Sequence, residues 1–374
     1  MTHRAGSAVT ADVIVVGAGI IGSSLAREIA GAGARVLVLD RGEPGAQASW
    51  AAAGMLAPQA EADRPDAFFR LLLDSRSLYP ALAEALREET GIDVGYRTEG
   101  ALLLALSEAD EVGLAERFDW QRGAGLNVER LGADEARARE PDLSPEVRSA
   151  LLFAEDHQVD NRLLSRAVWI SATQRGAEFQ LGQGVRSVHC GPGGCEVRLE
   201  SGDRISGKSV IIAAGSWSGL IEGLPRPLPV EPLHGQLLSL TTAPPLLRHI
   251  VGSPRGYMVP RSDGRLIVGT TQERTGFRTA VTPRGLQTIT AIAVEMAPGL
   301  SEVPVESFWS GLRPGTPDSL PILGPDPEAP GLLYATGHFR NGILLAPLTA
   351  VVIGGLALGR LPEIDLTPFR PDRF

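Results

Sequence analysis

The sequence predicts an α/β fold in which a parallel-sheet domain is interrupted by a second, antiparallel α+β domain. Continuous apolar runs, typical of strands buried on both faces, begin near residues 13, 36, 209 and 332. In the blocks between them, apolar and polar residues alternate as they do in antiparallel strands. We therefore expect a parallel-sheet domain built from residues 9–90, 151–222 and 311–374, with an inserted domain built from residues 91–150 and 223–310.

The first element is a β-α-β unit with glycines where the strand becomes a helix. The strand Val13–Val16 runs into Gly17, Gly19 and Gly22, and a second strand ends at Asp40, 23 residues after Gly17. Gly17 permits a tight turn, Gly19 lets the backbone approach a pyrophosphate, and Gly22 lets helix and strand pack closely. The helix amino terminus would stabilise the phosphates, and Asp40 would accept hydrogen bonds from a ribose. This Rossmann-like pattern predicts an adenine dinucleotide site.

The remaining elements follow from hydrophobic periodicity and turn residues. Helices are expected at residues 68–89, 108–121, 133–139, 163–174, 282–297 and 342–359. Strands are expected at residues 97–106, 178–179, 185–188, 197–199, 204–205, 209–214, 235–241, 257–260, 265–270, 305–310 and 332–335.

Residues 342–359 are almost entirely apolar, and their length of about 18 is at the lower limit for a membrane span. Pro347, Thr349 and the pair Gly354-Gly355 argue against a span, so we expect a helix buried inside the protein. The polar start Met1–Ala11 lacks the apolar segment of a secretory signal. We therefore expect no membrane span and a cytoplasmic location.

Composition and charge exclude two kinds of partner. The net charge of −9 disfavours nucleic acid, because phosphate binding needs a basic surface. Cys190 and Cys195 are the only cysteines and cannot make a closed zinc site, which needs four ligands, so no metal site is expected. Two free thiols are expected in a reducing compartment, with a disulfide across the intervening turn as the alternative.

Longer motifs resemble the D-amino-acid oxidase family of flavoproteins, and within it the branch that oxidises glycine for thiamin biosynthesis. The matching segments extend over nearly the whole chain and are Gly17–Gly22, Asp40-Arg41, Ala51–Leu56, Asp66–Phe69, Ala213–Gly219, Gly311–Gly315 and His338–Leu344. These gap-free matches are more specific than the glycine pattern alone. The small residues at 46–55 also favour a flavin over NAD, because their backbone can lie against a flat ring.

The resemblance implies a Rossmann-like FAD-binding domain (GR2-type) that holds FAD non-covalently, and an antiparallel substrate-binding domain. Relatives that attach the flavin covalently use a cysteine near the position of Gly311, where this chain has none. The cofactor-binding residues that the resemblance implies are Gly17, Gly19, Ile20, Ile21, Gly22, Asp40, Arg41, Ala48, Ser49, Ala53, Gly54, Met55, Val185, Gly215, His338, Phe339, Arg340, Asn341, Gly342, Ile343 and Leu344. The implied substrate-binding residues are Met55, Tyr257, Arg313 and Arg340.

Residue chemistry supports the substrate roles independently. A small amino acid offers little besides its carboxylate, which the forked guanidinium of an arginine binds through two parallel hydrogen bonds. Arg313 lies between Gly311 and Pro314-Gly315, a sequence that favours a rigid turn, and a structural ion pair is the alternative role. Tyr257 can donate a phenolic hydrogen bond to the same carboxylate, or it is a core aromatic.

The helix that begins at Gly342 would direct its positive end toward the flavin pyrimidine ring, where the reduced form carries negative charge. His338 is either an acid or base beside the ring or a residue that satisfies the backbone. His234 is expected to be structural, and His157 has no predicted role.

Together these interpretations predict an FAD-dependent oxidase of glycine, sarcosine, a small D-amino acid or another small amine. Hydride leaves the substrate Cα for flavin N5, and O2 takes up the electrons to give H2O2. The imine hydrolyses to a 2-oxo acid and ammonia, or enters synthesis of the thiamin thiazole. The alternatives are a D-amino-acid or secondary-amine dehydrogenase that reduces a quinone, a non-catalytic nucleotide-binding module, and an NAD-dependent dehydrogenase. The resemblance also implies a homo-oligomer, a homotetramer.

Overall fold

The computed structural model describes residues 10–374. Its strands, in chain order, are β1 (Thr10–Val16), β2 (Val36–Asp40), β3 (Met55–Leu56), β4 (Ala101–Ala105), β5 (Glu129–Gly132), β6 (Ser149–Phe153), β7 (His157–Gln158), β8 (Glu178–Leu181), β9 (Val185–Gly191), β10 (Gly194–Leu199), β11 (Arg204–Ile212), β12 (Glu231–Thr241), β13 (Ile250–Ser253), β14 (Gly256–Pro260), β15 (Arg265–Gly269), β16 (Val305–Gly315), β17 (Ile322–Pro325) and β18 (Leu332–Thr336).

The α-helices of the same residues are α1 (Ile20–Gly31), α2 (Ala48–Ala51), α3 (Pro58–Glu61), α4 (Ala67–Ser77), α5 (Tyr79–Thr90), α6 (Glu108–Gly123), α7 (Ala133–Arg139), α8 (Asn161–Gln174), α9 (Pro283–Met296) and α10 (Gly342–Ala357). The predicted helix over residues 68–89 is interrupted at Leu78, and α5 begins with Pro80 in its first turn. This difference has a physical reason, since proline favours a helix start and disfavours a helix interior.

The first sheet has a parallel centre, as the apolar runs predict. Its main path is β17-β18-β11-β1-β2-β8, and β9 and β10 extend from β11 as an antiparallel pair. The pairs β18/β11, β11/β1, β1/β2 and β2/β8 are all parallel. Alternate residues of β1 enter two cores, because Val13 and Val15 pack with the helices whereas Ile14 and Val16 pack with β9 and β10.

Helix α10 packs against α1 and α4 over this sheet. Every residue from Ile343 to Ala350 is buried, so the prediction of a buried apolar helix is confirmed. Within residues 10–374, no helix is long and apolar enough to cross a membrane. The prediction about a secretory signal rests on Met1–Ala11, which lies almost entirely outside the described residues.

The second sheet has the order β16-β12-β15-β14-β13-β4-β6-β5. All of its pairs are antiparallel except β13 with β4. Helix α9 packs on β12, β14 and β15. The fold class is therefore the predicted one, a mainly parallel α/β sheet joined to an antiparallel sheet. The sequence boundaries proposed for the two domains remain a prediction.

The expectation of two free thiols is wrong for this structure. Cys190 and Cys195 form a disulfide. The two cysteines are direct partners in the β9–β10 pair, so their side chains leave the sheet at the same place. The short turn at Gly-Pro-Gly-Gly holds the strands in this register.

Candidate active site

A cavity of about 420 Å³ lies between the two sheets. Every site residue predicted from the sequence lines it except Gly22 and Leu344. Gly22 packs instead against the Gly17 carbonyl, and a Cβ added there would lie 1.8 Å from that oxygen. Leu344 is a core residue whose carbonyl accepts a hydrogen bond from the Ser75 hydroxyl. These two residues therefore support the cavity wall from behind.

The carboxyl ends of β1 and β2 form one end of the cavity. Gly17 has a φ of +109°, a conformation that favours glycine, and a Cβ there would lie 2.4 Å from the Ala213 carbonyl oxygen. Helix α1 follows with no side-chain cap and no acidic residue in its first turn. Its Ile20 amide donates to Ser49 Oγ at 2.9 Å. The remaining positive end of α1 faces an anion site of the kind that phosphates use.

Asp40 stands beside this helix end. Its Oδ2 accepts from the Ala18 amide at 2.6 Å and its Oδ1 from the Gly42 amide at 2.8 Å. Both oxygens keep lone pairs for further donors, such as ribose hydroxyls. Next to it, the Arg41 guanidinium lies 3.9 Å from the centre of the Trp217 ring, so both side chains flank the same wall.

The turn before α10 forms the opposite wall. Gly337 and Phe339 adopt positive φ values of 72° and 48°, and His338 lies between them. His338 is 3% exposed, and its Nε2 lies 3.1 Å from Thr349 Oγ1. Burial lowers the pKa of His338 to about 3, so its imidazole is neutral at ordinary pH. This supports the structural alternative for His338 over the acid–base one.

Arg313 projects into the cavity from a strand. The prediction that it lies in a turn is therefore wrong. It lies in β16, where it pairs with Leu233 of β12. The sheet pairing continues through Gly311 and Pro314, which is why no turn forms there. Arg313 Nη2 donates to Thr270 Oγ1 at 2.6 Å and Nη1 to the Thr271 carbonyl at 3.3 Å. A guanidinium has five N–H donors, so most of this fork remains for a ligand.

Two glycines that were not predicted as site residues make room for the side chains of Arg313 and Tyr257. A Cβ on Gly235 would lie 2.0 Å from Arg313 Nη1. A Cβ on Gly269, the direct partner of Tyr257, would lie 2.8 Å from the phenolic oxygen. Gly235 lies inside β12 and Gly269 ends β15, and glycine in a strand often marks a close approach of another group. That signal was present in the sequence, but it does not say which group approaches.

Arg340 forms an ion pair with Glu61 of α3, with Nη2 and Oε1 2.8 Å apart. The charge of Glu61 raises the pKa of Arg340. Desolvation raises the pKa of the nearby Tyr257, and the charges of Arg313 and Arg340 oppose this rise. The phenol therefore stays protonated and can donate a hydrogen bond. Glu61 has no local sequence signal and was not predicted.

A second cavity of about 230 Å³ adjoins the first and shares Met55, Glu61, Tyr257, Thr270, Arg313 and Arg340 with it. These shared residues form the wall between the two spaces. The substrate residues predicted from the sequence are thus brought together at one end, away from Asp40 and α1.

Two further histidines, His234 and His157, do not line either cavity. His234 is 2% exposed, its Nδ1 is 3.5 Å from Glu273 Oε2, and neither ring nitrogen has a hydrogen-bond partner among residues 10–374. Its structural role stays a prediction. His157, for which the sequence shows no partner, has Nδ1 2.7 Å from the Tyr96 hydroxyl.

The residues present fit FAD. The uncapped start of α1 suits a pyrophosphate, Asp40 suits a ribose, and the loop at 48–55 offers small side chains to a flat ring. The start of α10 adds a positive helix end on the far wall. Fold and cavity together define a dinucleotide-dependent oxidoreductase.

Comparison with known proteins narrows this class. The sequence profile of the DAO family, described as FAD dependent oxidoreductase, matches residues 12–356. The chain is 36% identical over 372 residues to the glycine oxidase of Pseudomonas aeruginosa, which covers 96% of this chain and 98% of that relative. It is 37% identical over 371 residues to the bifunctional protein ThiO/ThiG of Synechocystis, covering 98% of this chain and 54% of that relative.

A solved structure agrees with these relatives. The crystal structure of glycine oxidase from Geobacillus kaustophilus superimposes with a TM-score of 0.95 at 35% identity, covering 98% of this chain and 99% of that chain. The chain belongs to the DAO family of FAD-dependent oxidoreductases. FAD is its cofactor, and it is an enzyme of the amine and amino-acid oxidase class.

Proposed function

We propose that this protein catalyses the oxidative deamination of glycine or another small amine, such as sarcosine or a small D-amino acid, with O2 as the electron acceptor. The observation that carries the proposal is Arg313, a cation on the cavity wall whose fork is only partly used by Thr270 and Thr271. A cation held between a flavin-sized space and a small adjoining cavity suits a short substrate with one carboxylate.

Three side chains would divide the work of binding this substrate. Arg313 would hold the carboxylate through parallel N–H···O bonds, and Tyr257 would donate a third hydrogen bond to it. Arg340 is already paired with Glu61, so it adds less positive charge to the site. Met55, which lines both cavities, would limit the space around the substrate Cα.

FAD held by the start of α1, Asp40 and the loop at 48–55 would supply the two-electron acceptor for oxidation of the substrate Cα. The chain's own contribution is orientation and exclusion of water, because no titratable side chain is required to remove a proton from carbon. His338 fits this division, since its buried neutral imidazole supports the turn before α10. The cysteines are paired in the β9–β10 hairpin, which supports non-covalent binding of FAD.

The likeness to ThiO/ThiG and to glycine oxidase supports a role in thiamin biosynthesis, in which the imine would be passed on rather than hydrolysed. A homotetramer, which the family resemblance implies, and the cytoplasmic location expected from the sequence complete the proposal.

The test is to purify the protein and supply glycine in air. We expect a yellow protein whose flavin is released by denaturation. The protein should form one molecule of H2O2 for each molecule of glycine oxidised. Reduction of the flavin by glycine under nitrogen, followed by transfer to a quinone-like dye without peroxide, would instead support the dehydrogenase alternative. A flavin that no small amine reduces would contradict the enzyme proposal.

A further inference from the structure

Arg261 is a buried cation outside the predicted site. It directly follows β14, the strand that carries Tyr257, and it is 5% exposed. Its guanidinium crosses to the loop at 48–55, which lines the cavity. Nη2 donates to the Ala53 carbonyl at 2.7 Å, and Nη1 donates to Gln158 Oε1 at 3.0 Å. Arg261 thus connects the second sheet to the small-residue loop at 48–55.

The partners of Arg261 are mostly neutral. Its closest approach to a carboxylate is 4.0 Å, from Nε to Asp160 Oδ2. That carboxylate is bound more tightly by Arg265, at 2.8 Å. Burial of a cation without a close ion pair is unfavourable, and it lowers the pKa of Arg261 to about 10. If position 261 served stability alone, a well-packed apolar side chain would stabilise the fold at least as well as a buried cation. The hydrogen bonds of Arg261 therefore point to a positional role.

The carbonyls of the loop are held one after another by groups behind it. Asn161 Nδ2 donates to the carbonyls of Ser49 and Trp50, and Trp309 Nε1 donates to that of Ala51. Arg261 binds the next anchored carbonyl, that of Ala53, and the Val159 amide binds that of Gly54. Arg162 Nε also donates to the Trp50 carbonyl, at 3.4 Å, but Arg162 is only half-buried, so Arg261 is the fully buried cation of this series.

Gly54 shows how closely the loop approaches this anchor. Its φ is +71°, and a Cβ there would lie 2.0 Å from the Val159 carbonyl oxygen and 3.0 Å from Arg261 Nη2. The absence of a side chain at this position therefore leaves the space that the guanidinium needs. On the other side, Ala53, Gly54 and Met55 line the cavity.

We propose that Arg261 is a positioning residue that fixes the cavity-facing backbone at Ala53–Met55 relative to the strand that carries Tyr257. Through this contact, FAD and the substrate carboxylate would be held at a set mutual position. The inference rests on the proposed function, because it assigns the loop to the flavin and Tyr257 to the substrate.

The test compares Arg261→Met, which removes the donors at similar volume, with Arg265→Met, which removes a neighbouring arginine that does not touch the loop. We would measure the FAD Kd by titrating each apoprotein and following flavin fluorescence. The Kd of glycolate, a carboxylate that cannot be deaminated, follows from the change in flavin absorbance. The melting temperature of each apoprotein gives the effect on stability alone.

We expect Arg261→Met to raise both dissociation constants at least tenfold. Arg265→Met should change each constant less than twofold, even if it lowers the melting temperature as much as Arg261→Met does. Arg261→Lys should recover part of the loss, because it keeps one donor and the charge. If Arg261→Met does not fold, the comparison of Arg261→Lys with the wild type, with an expected threefold or larger increase in both constants, replaces it.

Wild-type dissociation constants in the folded Arg261 variants, accompanied only by a lower melting temperature, would overturn the inference and leave Arg261 a structural residue. Failure of the wild-type protein to oxidise any small amine would overturn the proposed function instead. The FAD measurement would still report on Arg261 in that case.

Discussion

The two ends of the cavity are built in opposite ways. The nucleotide end is formed by Gly17, α1 and Asp40, which follow one another in a single β-α-β unit. The substrate end combines Tyr257 of β14, Arg313 of β16 and the Arg340–Glu61 pair, which come from four separate parts of the chain. Local geometry therefore decides the first end, whereas sheet register and loop packing decide the second. Substitutions should damage the two ends in different ways.

The largest effect on FAD binding is expected from Gly22→Ala. The new methyl group would lie 1.8 Å from the Gly17 carbonyl oxygen, so α1 would have to move away from β1 and the phosphate site would open. Overpacking of this kind costs roughly 1–3 kcal/mol, and we expect FAD affinity to fall about 100-fold. Titration of the apoprotein with FAD measures this.

Gly113→Ala is the matched control, because a Cβ at this position in α6 meets no atom within 4 Å. Alanine should be neutral or stabilising in this helix. Tight FAD binding by Gly22→Ala would mean that α1 does not hold the pyrophosphate.

At the other end, Arg313→Ala should leave FAD in place and abolish most turnover. Breaking a buried charge pair costs about 3–5 kcal/mol, so kcat/KM for glycine should fall at least about 100-fold. Steady-state peroxide formation and the flavin absorbance of the purified variant measure the two properties. Arg278→Ala, at an exposed position, provides the control. Unchanged kcat/KM in Arg313→Ala would remove this residue from carboxylate binding.

The difference between the two ends also explains what the sequence could predict. The roles expected of Gly17, Gly22 and Asp40 follow from spacing within one unit, and the close packing of Gly22 on the Gly17 carbonyl and of Asp40 on the Ala18 amide lies within that unit. Only the contact of Gly17 with the Ala213 carbonyl comes from a distant segment. The sequence identified Arg313 as a candidate substrate-binding residue, but it did not predict that Arg313 lies in a strand. The prediction of a turn failed because pairing with β12, a distant strand, extends β16 through Gly315.

Contacts made by packing alone left no readable pattern. Glu61 reaches Arg340 through α3, and Thr270 reaches Arg313 across the sheet. Neither residue has a periodic or motif context that marks it. The disulfide was also not predictable from spacing alone. Cys190 and Cys195 are five residues apart, and they pair because β9 and β10 place them opposite each other.

A smaller effect at the substrate end is expected from Gly235→Ala. Its methyl group would lie 2.0 Å from Arg313 Nη1, and the flexible guanidinium would shift rather than be lost. A displaced but charged fork should cost about 1–2 kcal/mol, so KM for glycine should rise about tenfold while FAD affinity is unchanged. Gly191→Ala in β9, where a Cβ meets no atom within 4 Å, is the control. Equal KM values for the two variants would show that Gly235 does not set the position of Arg313.

The smallest effect on catalysis is expected at His338, on the wall formed by the turn before α10. The pKa of its imidazole falls from about 6.5 in the unfolded chain to about 3 in the folded protein, because the folded environment excludes water. The unfolded chain therefore binds one more proton between these values. The contribution of the neutral His338 to stability is complete above pH 6.5 and is lost as the pH falls toward 3, at about 1.4 kcal/mol per pH unit at most.

His338→Gln should accordingly flatten the acid side of the stability profile, measured by urea unfolding between pH 4 and 7. It should change kcat less than about threefold and leave the pH profile of kcat/KM above pH 5 without a new inflection. His189→Gln is the control, because His189 is exposed on β9 and lies outside the cavity. An inflection near pH 6.5 in the wild-type kcat/KM that only His338→Gln removes would make His338 an acid–base residue. The turn before α10 would then belong to the chemistry of the substrate end rather than to its support.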